Sequence, residues 1–191
     1  MAIDKKGAFA QQATLIFVDE SGFTERPSVR RTWAPRGITP VIHHRFNWDK
    51  LNAIGAIACK PSGEDARLLL HLQEESVKAQ SIVAFLERLH RDVPGPIVLL
   101  WDGLPAHRGK IVKAFIADNQ EWLQVERFPA YAPELDPVEF LWATVKGKDV
   151  ANFCPDTLGQ IRDKLMQAAE RVQEANRMLY NFLLAAQLYG K

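Results

Sequence analysis

Two short runs of uninterrupted apolar residues, LIFV at 15–18 and IVLLW at 97–101, each break at an aspartate, Asp19 and Asp102. A strand with one wet face alternates apolar and polar residues, whereas a strand apolar at every position is covered on both faces. Such strands belong at the centre of a sheet packed between helices, which is the layering of α/β folds. The two runs are therefore expected as central parallel strands. Their terminal aspartates then lie at the carboxyl edge of the sheet, where open α/β sheets gather ligand sites.

The remaining patterns supply the partners. LNAIGAIAC at 51–59 and ARLLLHL at 66–72 read as an antiparallel hairpin closed by KPSGED. Ile82, Phe85, Leu86 and Leu89 fall at helical spacing over 78–91, and Pro94-Gly95-Pro96 ends that helix. A second helix is expected over 108–119, with Ile111, Val112, Phe115 and Ile116 on one face, and a short strand over 122–127. Three prolines make 128–137 (FPAYAPELDP) irregular. Asp136 as N-cap and Pro137 as first helical residue then open a helix with Leu135, Val138, Leu141, Trp142 and Val145 on its apolar side. Thr157-Leu-Gly-Gln160 has capping-box spacing for a last helical region, lined by Leu158, Ile161, Leu165, Ala169 and Val172. Asp19-Glu20-Ser21-Gly22 reads as a turn, and 20–50 as a long connection with a short strand near 31–34. The expectation is one α/β domain over 1–191: a mixed five-stranded sheet flanked by helices, with a lead-in at 1–13 and a C-terminal helical region at 156–191.

Composition narrows the function classes. The chain is 47% apolar with 24 basic and 23 acidic residues, so its net charge of +1 selects no partner. Charge is concentrated instead: 21–50 carries Arg26, Arg30, Arg31, Arg36, Arg45 and Lys50 against Glu25 and Asp49, with Trp33, Phe46 and Trp48 interleaved. That stretch reads either as a solvated loop or as a surface for phosphate contact, base stacking or a second protomer. Two cysteines without CxxC spacing give no zinc or disulfide framework and suit a reducing cytoplasm. No apolar run reaches membrane length, and the start MAIDKKGAFAQQ lacks the apolar core of a signal peptide.

If the two strands are neighbours, Asp19 and Asp102 stand roughly 4.8 Å apart. Carboxylates that close repel, so one holds a proton unless a cation lies between them. Mg²⁺, which takes hard oxygen ligands, resolves the conflict. A third carboxylate would complete a two-metal clamp for in-line phosphoryl displacement. Glu139, in the first turn of its helix, is the best candidate. Each acid has a plainer reading: Asp19 and Asp102 as turn residues, Glu139 as the reciprocal member of a capping box with Asp136.

Three ordered blocks go further. VDESGF at 18–23, WDGLPAHRGK at 101–110 and YAPELDPVEFLWATVKG at 131–147 resemble the signature blocks of DDE transposases of the mariner-like superfamily. The likeness is nearest the bacterial insertion-sequence-630 branch, which RRTWAPRGITPV at 30–41 also resembles. The resemblance implies an RNase H-like fold, Asp19, Asp102 and Glu139 as catalytic metal ligands, and two Mg²⁺ or Mn²⁺ ions. It further implies hydrolysis at element ends, then 3′-OH strand transfer into target DNA, within a homodimer on DNA, in a bacterial cytoplasm. Where the family often carries LNPxE this chain has LDPVE, which brings Asp136 beside the expected ligand. His107 matches the block histidine and is expected to contact the scissile phosphate or orient a carboxylate. His107, Lys110 and Lys146 join the loop arginines as candidate DNA contacts. Eighteen residues precede Asp19, fewer than the upstream helix-turn-helix domains of that superfamily occupy. End recognition is therefore expected from a separate domain or partner chain. The rival readings are an RNase H-like nuclease without strand transfer and an inactive or domesticated DNA-binding module.

Overall fold

The structure, a computed structural model, describes residue 7 and residues 12–45, 47–129, 132–175 and 177–189; Phe46 and Tyr131 lie outside them. Its centre is a five-stranded sheet of β1 (Thr14–Thr24), β2 (Lys50–Cys59), β3 (Arg67–Gln73), β4 (Ile97–Trp101) and β5 (Leu123–Arg127) in the order β3-β2-β1-β4-β5. The β1–β2 and β2–β3 pairs are antiparallel, and β1–β4 and β4–β5 are parallel. The mixed sheet and its parallel centre are as expected.

Helices cover both faces because the central strands are apolar on both. Ile16, Val18, Leu99 and Trp101 pack against α1 (Ala79–Asp92) and α2 (Lys110–Asp118). Leu15, Phe17, Val98 and Leu100 pack against α3 (Pro137–Thr144), α4 (Leu158–Glu174) and α5 (Met178–Ala185). Among the described residues, no helix is long and apolar enough to cross a membrane.

Four expectations need correction. Asp19–Gly22 is not a turn: β1 runs on to Thr24, held by β2 in unbroken register from Leu15↔Cys59 to Thr24↔Lys50. Turn-forming residues serve there as strand residues, and Phe23 beyond them still packs in the core. Residues 31–34 form no strand; with neither a sheet edge nor a core to join, Trp33 is 99% exposed. The connection is anchored near its ends, by the Ser28↔Ala151 bridge, by Arg30 N–H donating to Asn152 Oδ1 (2.7 Å) and by Arg45 Nε beside Asp156 Oδ1 (3.2 Å). At α4, Thr157 Oγ1 accepts from Gln160 N–H, but Gln160 Oε1 accepts from the N–H of Asp156, one residue earlier than a capping box requires. Ala168, not Ala169, is the buried alanine of that helix.

Candidate active site at the carboxyl edge of the sheet

β1 and β4 pair in register from Thr14↔Ile97 to Phe17↔Leu100. Carried two residues further, that register sets Asp19 level with Asp102. Glu139 arrives from the other layer, in the first turn of α3. The start of that helix is fixed by its cap: Asp136 Oδ1 accepts from Val138 N–H at 2.8 Å, and Pro137 supplies the preset φ. The Asp136 N–H donates to the Pro133 carbonyl (3.0 Å), so it does not require Glu139 as a capping-box partner. Gly55, paired with Asp19 in β2, lets α3 lie close: a Cβ there would stand 2.6 Å from Trp142 Cζ2.

Asp19, Asp102, Asp136 and Glu139 line one cleft of about 430 Å³, walled in part by Arg127, Phe128 and Pro133. The acids press on one another. Burial, then the charge of Glu139, with smaller contributions from Glu20 and Asp102, push Asp19 up to about 7 against the pull of the Glu20 N–H. Asp136 rises to about 8, by burial first and then by Asp19, Glu139 and Asp102, although the Val138 N–H opposes it. A site made of hard oxygen donors that repel each other fits a divalent cation such as Mg²⁺ or Mn²⁺.

Asp102 behaves differently. Burial raises it, but hydrogen bonds from His107 and the Leu104 N–H, with the charges of His107 and Arg108, outweigh burial and hold it below the usual carboxylate value. His107 is buried, its ring stacked on Trp101 with centroids 4.1 Å apart and planes 2° from parallel. Its Nε2 lies 2.9 Å from Glu20 Oε1, and its Nδ1 lies 3.0 Å from Asp102 Oδ1. Burial opposes charge on this imidazole, yet the bonds to Asp102 and Glu20 raise it to about 9. Among the described residues, Glu20, Asp102 and His107 are the group whose ligand atoms all approach within 4.8 Å. This group shares only Asp102 with the expected triad. It already contains its own cation, the imidazolium, so its electrostatics do not call for a metal as those of the cleft do.

His107 therefore sits inside the protein rather than on a DNA-facing surface, in the geometry of a group that orients a carboxylate. Arg30, Arg31 and Arg36 are exposed on the long connection and do not line the acid cleft. Arg26 and Lys146 line a separate cleft of about 330 Å³ with Phe23 and Phe153. The Arg26 guanidinium lies over Trp48 and Lys146 Nζ over Phe23, 6.0 and 5.5 Å from the ring centroids. Lys110 is exposed at the first position of α2, and Arg45 faces Asp156. Glu20 was missed from the sequence because a turn at 19–22 conceals the alternation that sends neighbouring side chains to opposite faces. Read as a strand, the same residues place Asp19 toward α3 and Glu20 toward α1 and α2.

Comparison with known proteins agrees with this architecture. The Mos1 transposase paired-end complex with left transposon end superposes with a TM-score of 0.66 at 17% identity, covering 96% of this chain and 53% of that one. The Mos1 mariner paired-end complex with Mn gives 0.62 at 18% identity, covering 91% and 53%. The catalytic domain of Mos1 mariner transposase gives 0.52 at 15% identity, covering 98% and 88%. The chain thus spans about half the length of the first two, and the shared fold is RNase H-like. No curated protein matches the chain. The family model described as DDE superfamily endonuclease matches residues 14–156, and with three quarters of its length inside that match the chain belongs to the DDE superfamily endonucleases.

Proposed function

We propose that the chain is the catalytic domain of a DNA transposase, mariner-like and nearest the bacterial insertion-sequence-630 branch. In this reading Asp19, Asp102 and Glu139 hold two Mg²⁺ or Mn²⁺ ions. Water attacks a phosphodiester at the element end, the P–O3′ bond breaks, and a 3′-OH is released. That hydroxyl then attacks a target phosphodiester, forming a new P–O bond while the target's own 3′ oxygen departs. The observation that carries the reading is the convergence of three acids from β1, the end of β4 and α3 on one cleft, where their charges oppose each other. Bound divalent ions supply neutralising charge at the attacking and leaving oxygens.

The chain's residues supply position. Asp19 is held by its pairing with Gly55 of β2, Asp102 by His107 and the Leu104 N–H, and Glu139 by the capped start of α3. Phe128 and Pro133 limit water at the cleft wall, and Arg127 offers a guanidinium to phosphate oxygens. Arg26, Arg30, Arg31, Arg36, Arg45, Lys110 and Lys146 are assigned to DNA backbone contacts. The exposed Val29, Trp33, Ile38 and Val41 of the long connection favour contact with a second protomer on DNA. The solved relatives include paired-end and strand-transfer complexes. They are longer than this chain, and recognition of a defined end sequence is assigned to a separate domain or a partner chain.

The test is Mn²⁺-dependent nicking of element-end DNA, followed by joining of pre-cut 3′-OH ends to a target plasmid. Asp102→Asn brings both activities to background; retention of full activity by that variant refutes the reading. Nicking without joining reduces it to a nuclease.

A further inference from the structure

Glu20 has no place in the acid triad, yet its side chain is nine-tenths buried at the same sheet edge. Strand alternation turns it away from Asp19 into the layer beneath α1 and α2. There Glu20 Oε1 meets His107 Nε2 at 2.9 Å. The other ring nitrogen lies 3.0 Å from Asp102 Oδ1 and 3.2 Å from the Asp102 carbonyl. The imidazole is fully buried and flat against Trp101, so packing fixes its orientation. The Leu104 N–H, at 2.9 Å, is aimed at the same Asp102 Oδ1. Both of these contacts to the Asp102 carboxylate fall on one oxygen, Oδ1, and Asp102 lines the acid cleft.

We propose that Glu20 and His107 are positioning residues, a buried strut that grips Asp102 by Oδ1 and presents Oδ2 to a divalent cation in the cleft. The inference rests on Asp102 being a metal ligand. Partners behind a ligating carboxylate set its direction, and their loss weakens metal affinity roughly 10- to 100-fold. A histidine that merely fills space predicts something else. Asn and Gln place an amide N–H near the Nδ1 and Nε2 positions respectively, so they separate the two roles. Gln is the closer match in volume, but Asn alone keeps the donor toward Asp102.

The experiment is a Mn²⁺ titration of the full chain, with free ion read by electron paramagnetic resonance and folding checked by the thermal midpoint. Wild type and His107→Asn bind within about threefold of each other, while His107→Gln binds roughly 10- to 100-fold more weakly. Equal affinities, or tighter binding by His107→Gln, overturn the strut. Should either His107 variant fail to fold, the near-isosteric Glu20→Gln serves instead: weakened Mn²⁺ binding supports the strut, and wild-type affinity overturns it. Asp102→Asn in the same titration separates the two levels. If it binds as wild type, the metal-ligand assignment fails and the strut with it. If it loses binding while His107→Gln and Glu20→Gln bind normally, the strut alone fails.

Discussion

Glu139 is the member of the proposed triad that the sheet does not hold directly, so its position depends on how closely α3 sits against β1 and β2. Gly55→Ala perturbs that seat. The added Cβ would lie 2.6 and 2.8 Å from Trp142 Cζ2 and Cη2 and 3.3 Å from Val138 Cγ1, where ordinary contact begins at 3.4 Å. Relief requires a movement of about 0.8 Å. Trp142 and Val138 are both buried, so the ring has no free space to swing into and the helix must give. The backbone does not oppose the substitution, because Gly55 is not at a positive φ. On chain entropy alone alanine would stabilise by about 0.5–1 kcal/mol. Overpacking a filled core typically costs about 1–3 kcal/mol, so the steric effect wins and a net loss of about 1–2 kcal/mol is expected. Glu139 follows Val138 and precedes Trp142 by three residues, and it moves with them. A displacement of about 1 Å at a reacting centre lowers rate roughly 100-fold. Urea unfolding by tryptophan fluorescence and Mn²⁺-dependent nicking measure the two effects. Trp142→Phe shortens the clashing ring, so in the double variant it restores part of both losses. A Gly55→Ala chain as stable as wild type, with unchanged nicking, refutes the proposed seat.

Two further outcomes follow from charge. Asp19 at about 7 and Asp136 at about 8 lie above their unfolded value of 3.8, so their contribution is full below that value and is lost as pH rises through 7 and 8. His107, raised to about 9, adds a loss in the same direction at higher pH. The thermal midpoint of the metal-free chain therefore falls from pH 5 to pH 8, and Mn²⁺ raises it more at pH 8 than at pH 5; calorimetry that shows equal metal shifts contradicts this. Replacing Arg30, Arg31 and Arg36 with Ala weakens DNA binding and lowers the salt slope by about one for each phosphate that is no longer neutralised. Stability stays within about 0.5 kcal/mol because all three are exposed. Fluorescence anisotropy across a salt series decides, and an unchanged slope removes these residues from the interface.

How much of this was legible depended on whether a residue's partner was local. The runs LIFV and IVLLW announce doubly covered strands in their own composition, and β4 ends where its run ends. The cap of α3 is equally local, since Asp136, Pro137 and Val138 are consecutive. The extension of β1 was not. Glu20, Ser21 and Gly22 favour a turn when considered alone, and the distant strand Lys50–Cys59 overrides that preference by pairing with each of them. The mistaken turn hid Glu20, because face alternation exists only in a strand. His107 was legible as a member of a block, but its burial came from Trp101 and Glu20, which no spacing in the sequence brings together.

The strand order explains why these groups meet at one edge. From β1 the sheet grows one way through β2 and β3, and the chain then crosses over α1 to add β4 and β5 on the other side. The reversal leaves a crevice at the carboxyl ends of β1 and β4, the place where open α/β sheets accommodate ligands. Each side of the sheet then contributes what its layer can hold. The α3 layer brings Glu139 to the face of Asp19, while the α1–α2 layer holds His107 and the inward-turned Glu20. Asp102, at the junction of the two, meets His107 at 3.0 Å and shares the cleft with Asp19 and Glu139. A defect in the packing of either layer therefore reaches the cleft through a different acid, Glu139 from one side and Asp102 from the other.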